Sequence, residues 1–401
     1  VNRLPTILIA VILAGCQKPV ARVDGPVQRV DATLSVPIET TTPFRSPPRI
    51  ESLAADWPNG SMAVWGSLAR GHHGEIVVGV SVEAKRDASA TLLAYDPREN
   101  RWSSRGHVTA SIETPKGVSQ NKIHTRFHPL SSGDIVFASM DESGELDDGS
   151  LLPTYGSYLW KVDPANRWTL LKNVPEGIIA SAAGGDAVWF LGYFGHVVYR
   201  YDVKTEAITQ TRVGATGGHV SRNFVVDDRG HAFVPRVRSG RASLVELNPE
   251  MDEVAVTPLT DYDCAPNADS HGIVSWARLT DGTLAIVTDG GRLYTIDRGK
   301  VTDRGLMHPA GQASLTCLIS PDGAHRLVAI GHRKGLSDWV EFDLTGNRGT
   351  AKPITIPVPD GATNLLVYGS GVRDQDGRWY VAGAFAAKGE KNLTPAIWRI
   401  E

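Results

Sequence analysis

The sequence predicts an all-β domain built as a closed ring of seven four-stranded units, and three observations lead there. A pair of apolar strands joined at a Gly-containing turn recurs along the chain. Each pair is followed by a further strand that ends in an acid or Asn. The copies recur about every 51 residues, a period within the range of toroidal repeat proteins.

The third strands carry the clearest signature. They read "LLAYDPRENRW" (92–102), "YLWKVDPANRW" (158–168), "VVYRYDVKTEAI" (197–208), "LVELNPEMDEV" (244–254), "LYTIDRGKV" (293–301), "VEFDLTGN" (340–347) and "AIWRIE" (396–401). Their marker residues are Asp96, Asp163, Asp202, Asn248, Asp297, Asp343 and Glu401. An acid or Asn there starts an Asx-type turn into a fourth strand. Upstream of each lies a hairpin such as "HHGEIVVGV", "SSGDIVFAS" or "TDGTLAIVT". Gly supplies the positive φ of a tight turn, and the apolar strands after it suit sheets covered on both faces. Seven copies therefore predict a seven-bladed β-propeller spanning 51–401. The last copy stops at its third strand, so "RIESLAA" (49–55) is expected to fill its outer place and close the ring by pairing the two chain ends, which covers the exposed edge of that third strand.

The Asp-Pro…Trp segments resemble kelch-type repeats within the propeller superfamily. The kelch double Gly is missing from most copies, and no WD dipeptide series is present. What the resemblance implies is architecture; propellers serve as binding modules, scaffolds and enzymes, so function must come from the site.

The first 50 residues read differently. "VNRLPTILIAVILAGCQK" carries one Arg, an apolar run too short to span a bilayer, and Leu13-Ala14-Gly15-Cys16. This resembles the lipobox of bacterial lipoproteins, which implies a signal peptide at 1–15 and a lipidated Cys16. Gln17 in place of Asp points to the outer membrane. Residues 16–50, with six Pro and a Thr40-Thr41-Thr42 run, are expected to be an extended tether. In that oxidising compartment a Cys264–Cys317 bond is permitted, two buried free thiols are the leading expectation, and the spacing matches no metal motif. Composition is that of a globular protein, 41% hydrophobic and 21% charged; the net charge of −3 gives no electrostatic case for nucleic acid.

Propeller topology puts the heads of the innermost strands at one mouth of the central channel. His124, His219 and His271 fall at such heads, with Arg222 and Asn223 beside His219. Loops on the same face carry Lys85, Arg86, Arg236, Arg238, Arg241, Arg292, His332, Arg333, Lys334, Lys388 and Lys391, which would focus anions into the mouth. The acidic stretch at 141–150 lies on that face as well, as a contact for the basic loops, a cation site or a lid.

Hydrolase and phosphate-loop motifs are missing from the sequence. A divalent metal held by His124, His219 and His271 needs all three within about 2.0 to 2.2 Å of one ion, which their places on separate blades oppose. No cofactor is otherwise expected. The leading expectation is an envelope lipoprotein whose His- and Arg-lined mouth binds an anionic glycan or a protein partner, with His124, Asn223, Arg236, Arg238 and Arg333 as ligand contacts. An alternative is a polysaccharide lyase acting on a uronic-acid polymer by β-elimination. Arg222 with Asn223 would then stabilise the enolate-like carboxylate, His219 or His271 would remove the proton, and Tyr193 or Tyr262 would act as acid or base. Ulvan and oligogalacturonate lyases use seven-bladed propellers with His, Tyr and Arg sites, and the similarity here is one of architecture. The remaining alternative is a scaffold in an envelope complex.

Overall fold

A computed structural model describes residues 32–34, 44 and 48–401, apart from 113–115, 147–149, 194, 215–218, 266–270 and 391. The expected signal peptide, Cys16 and Lys391 lie outside the described residues. Seven antiparallel sheets follow one another along the chain as blades 1 to 7, at residues 61–107, 128–174, 178–212, 225–258, 273–306, 314–354 and 363–400. Among the described residues no helix is long and apolar enough to cross a membrane.

Ring closure occurs as the terminal sequences require. Ile50–Ser52 pairs antiparallel with Leu393–Ile400 and supplies the outer strand of blade 7, with Ile50 opposite Ile400 and Ser52 opposite Trp398. Arg49 and Glu401 exchange backbone hydrogen bonds of 3.1 and 2.9 Å, and Glu51 meets Arg399 at 2.7 Å. A sheet built from both chain ends cannot fray at one end without opening the ring.

The hydrophobic core is divided among the blade interfaces. Among the described residues seven apolar layers occur, one for each pair of neighbouring blades. The layer between blades 7 and 1 joins Tyr380 and Ile397 to Leu53, Val78 and Tyr95. Middle strands are therefore covered on both faces: Ile76–Val82 and Trp379–Ala386 are buried throughout. Each large aliphatic side chain so buried contributes about 1.5–3 kcal/mol. Outer strands meet solvent, and Glu253–Pro258 is exposed along almost its whole length.

The acidic markers act as the sequence predicts. Asp96 Oδ1 accepts from the Arg98 amide at 2.8 Å, Asp202 Oδ1 from Thr205 at 2.9 Å, Asn248 Oδ1 from Asp252 at 2.8 Å and Asp343 Oδ1 from Thr345 at 2.9 Å. Asp297 departs from this pattern. It pairs with Lys300 across a two-residue turn in which Arg298 and Gly299 both take positive φ, 47° and 87°, so the backbone makes the turn without an Asx contact.

Two points within the segment expected to be a tether pack on the propeller. Leu34 bridges to Leu130, and Thr33 hydrogen-bonds Ser131 at the turn between the first two strands of blade 2. Phe44 packs edge-on against Trp339 at 5.3 Å, and the Arg373 guanidinium lies 4.7 Å from its ring. Cys264 and Cys317 are both free thiols, and Cys317 is fully buried.

Candidate functional site

All seven blades contribute to a cavity of about 50 Å³ at the channel mouth, from Trp65 of blade 1 and His124 before blade 2 round to Tyr368 of blade 7. That volume holds a few waters or one small polar group, not a whole sugar ring.

The segment "HVSRNF" (219–224) divides its work by residue. Asn223 Nδ2 donates to the carbonyls of Ile273 and Val274 at 3.3 and 3.0 Å. Ser221 Oγ donates to the Asn223 carbonyl at 2.6 Å and accepts from the Ile273 amide at 3.1 Å. These bonds latch the heads of blades 4 and 5 together. Gly272 completes the latch at φ +59°, where an added Cβ would lie 2.4 Å from the Tyr262 hydroxyl and 2.7 Å from Ser221 Oγ. Between the two latch residues, Arg222 is left to point into the channel.

Its guanidinium reaches both neighbouring imidazoles. Nε donates to His271 Nδ1 at 3.2 Å, and Nη1 lies 3.4 Å from His124 Nδ1. The Tyr368 ring centroid is 5.9 Å from the guanidinium carbon. A guanidinium only donates, so both rings receive it through an Nδ1 that carries no proton. Burial, with the charges of Lys122 and Arg222, holds His124 well below the usual imidazole range. Among the described residues Arg222 makes no ion pair.

Alternation along blade 2's leading segment explains His124. Lys122, His124 and Arg126 turn toward the channel, while Ile123, Thr125 and Phe127 are buried between them. Trp65 stacks on His124 at 5.4 Å and 14°, and Tyr368 lies 5.0 Å from Trp65. Lys122 sits 5.3 Å from the Trp65 ring and pairs with Glu142 of the acidic loop. Burial and the Arg222 charge lower the Lys122 ammonium to about 8. Burial raises the Tyr368 phenol, so it keeps its proton.

The structure thus brings together His124, Arg222, Asn223 and His271. It does not bring His219 or Tyr262 to the cavity. These two pair with each other, Nε2 to hydroxyl 3.2 Å, in the packing between blades 4 and 5, and His219 is fully buried. Burial places the Tyr262 phenol far above its ordinary range and lowers the His219 imidazole. Tyr193 packs against the apolar layer between blades 3 and 4. Arg236 forks onto the Glu253 carboxylate at 2.6 and 3.1 Å. Arg238 is exposed and reaches the Val213 carbonyl at 3.4 Å, and Arg333 is half-buried outside the cavity. Arg292 is held by Asp303 and Asp261. Arg236 and Arg292 are therefore compensated locally. Among the described residues no three His, Cys, Asp or Glu side chains converge as metal ligands; Arg222 stands between the two imidazoles that approach each other.

Sequence reasoning missed Trp65, Tyr368 and Asp289. Asp289 sits in the loop between the second and third strands of blade 5, where only the basic Arg292 had drawn notice. Burial and the nearby Asp263 raise its carboxyl above the ordinary range, against the pull of Arg222.

No protein-family model matches the chain, and no curated protein matches it. Solved structures do. "Crystal structure of RRP9 WD40 repeats" aligns with a TM-score of 0.53 at 11% identity, covering 88% of this chain and 96% of that one. "Structure of U3-55K" gives 0.53 at 12% identity, covering 90% and 99%. A chain of the "Crystal Structure of Mitotic Checkpoint Complex" gives 0.50 at 13%, covering 92% and 98%. The likeness is one of fold. It establishes the seven-bladed propeller and carries no residue role at such identities.

Proposed function

We propose that this propeller is a binding protein of the cell envelope that takes a carboxylate of an anionic glycan into its channel mouth. The observation that carries the reading is Arg222: a guanidinium without an ion-pair partner among the described residues, braced by His271 and His124, at a cavity the size of one small polar group. A fork of parallel N–H donors matches a carboxylate geometrically, and a partly dehydrated setting strengthens each bond. Trp65 and Tyr368 beside it offer aromatic faces for the ring that carries the carboxylate. Lipidation at Cys16 and residence at the outer membrane belong to the same proposal and rest on the Leu-Ala-Gly-Cys motif.

A second reading, β-elimination from a uronate, is favoured by one specific observation. A neutral imidazole, His124, and a phenol that keeps its proton, Tyr368, flank the same guanidinium. A carboxylate on Arg222 would draw Nη1 off His124 Nδ1; that nitrogen would then take the proton beside the carboxylate, Arg222 would neutralise the enolate, and the phenol would protonate the departing glycosidic oxygen.

Both readings are tested with the soluble domain and a panel of uronate and sulfated oligosaccharides. Saturable binding lost in Arg222→Ala, with constant absorbance in the unsaturated-uronide band, identifies a binding protein. Rising absorbance that needs Arg222 and His124 identifies a lyase. Absence of any response to uronates sinks both.

A further inference from the structure

Two groups at the mouth leave their bonding capacity unspent, and they carry opposite charge. Arg222 is one. Asp289 is the other: it lines the same cavity and is half-buried, yet among the described residues its carboxylate makes no hydrogen bond and no ion pair. Its backbone is fixed, with the amide donating to the Gly272 carbonyl at 2.9 Å, next to the His271 that braces Arg222. The two side chains form no ion pair with each other, and both line the cavity.

We propose that Asp289 makes the site selective for hydroxy-carboxylates, with a ligand hydroxyl donating to Asp289 while its carboxylate sits on Arg222; this rests on the carboxylate reading given above. An ionised carboxylate accepts and never donates, so only a ligand that brings a donor can satisfy it. A sulfate ester group brings acceptors alone. A carboxylate without neighbouring hydroxyls leaves Asp289 unsatisfied and repelled. A ligand ammonium would meet Asp289 but face Arg222 and Lys122 in the same mouth. Sites built to hydrogen-bond a hydroxyl reject the analogue lacking it because their own polar groups are left unpaired.

Glucuronate and cyclohexanecarboxylate separate these cases, since both present one carboxylate on a six-membered ring and only the first carries hydroxyls. Titration calorimetry on the soluble domain is expected to show glucuronate binding at least about tenfold tighter. Asp289→Asn is expected to shift the two acids in opposite senses, weakening glucuronate and strengthening cyclohexanecarboxylate through loss of the repulsion. A general folding defect would weaken both together. Arg222→Gln is expected to lose both. Equal affinities in the wild type, each dependent on Arg222, overturn the inference and leave the carboxylate reading standing. A ratio unchanged by Asp289→Asn overturns it as well. Failure of both acids to bind the wild type overturns both.

Discussion

Arg222 and His271 are joined twice. The Arg222 backbone amide donates to the His271 carbonyl at 2.9 Å, and the Arg222 side chain donates from Nε to His271 Nδ1 at 3.2 Å. One bond belongs to the link between blades 4 and 5 and the other to the channel mouth. The guanidinium is thereby oriented by the fold itself, before any ligand arrives. Such pre-organisation lowers the entropy cost of binding.

Gly272 is the residue through which that orientation can be broken. Gly272→Ala would hold an L-residue at φ +59° and press its Cβ against the Tyr262 hydroxyl and Ser221 Oγ. A loss of about 2 kcal/mol or more is expected in urea denaturation, together with weaker uronate binding. An unchanged midpoint would show that the latch is not rigid.

Acid should destabilise the fold through histidines that are buried neutral. Burial, with the Arg126 charge, lowers His128 to about 3, and burial with His219 lowers His196 to about 4. Unfolded, both titrate near 6.5 and so bind protons that the folded state refuses. Their contribution is therefore intact above about pH 7 and is lost as pH falls through 6.5 toward 4. The urea midpoint is expected to drop between pH 7 and pH 5, and to drop less in His196→Gln. Equal drops in the two proteins would contradict the assignment.

The paired chain ends make a charge-swap prediction. Glu51→Arg sets like charges opposite Arg399, and Glu51→Arg with Arg399→Glu restores the pair. For a partly exposed pair the single change should cost about 1 kcal/mol or less, and the double change should recover most of it. Deleting the chain before Leu53 should have a larger effect, because it strips the outer strand from blade 7 and exposes Leu393–Ile400 as an edge. Aggregation of that truncation, followed by light scattering, is the expected outcome.

Blade number and ring closure were legible because both are written in features that repeat: the acid or Asn after each third strand, the Gly turn before each second, and "RIESLAA" in the place the last copy leaves empty. The channel mouth was legible in part. His124 and His271 sit at inner-strand heads, 9 and 11 residues before the turn glycines Gly133 and Gly282, and Arg222 was marked as the neighbour of His219. The same count gives His219 the spacing of His271, yet only His271 reaches the cavity. The reason lies in the inner strands, which are short or bulged. Blade 4 has only Val225–Val226, and register shifts interrupt blades 1, 3, 5, 6 and 7 at Ser61/Ala63, Ile178/Ala180, Ile273/Ser275, Thr316/Ile319 and Tyr368/Val372. Each bulge resets which face a side chain takes, so parity cannot be carried through it. Trp65 and Tyr368 lie beside such irregularities, which is why nothing in their spacing marked them. Asp289 depends on a loop path that periodicity does not encode.

A crystal structure of the soluble domain bound to a glucuronate oligosaccharide tests the central claim most directly. The expected result is a carboxylate in the channel mouth, forked on Arg222 between His124 and His271, with its ring against Trp65 or Tyr368. An oligosaccharide bound elsewhere, with water alone on Arg222, would contradict it.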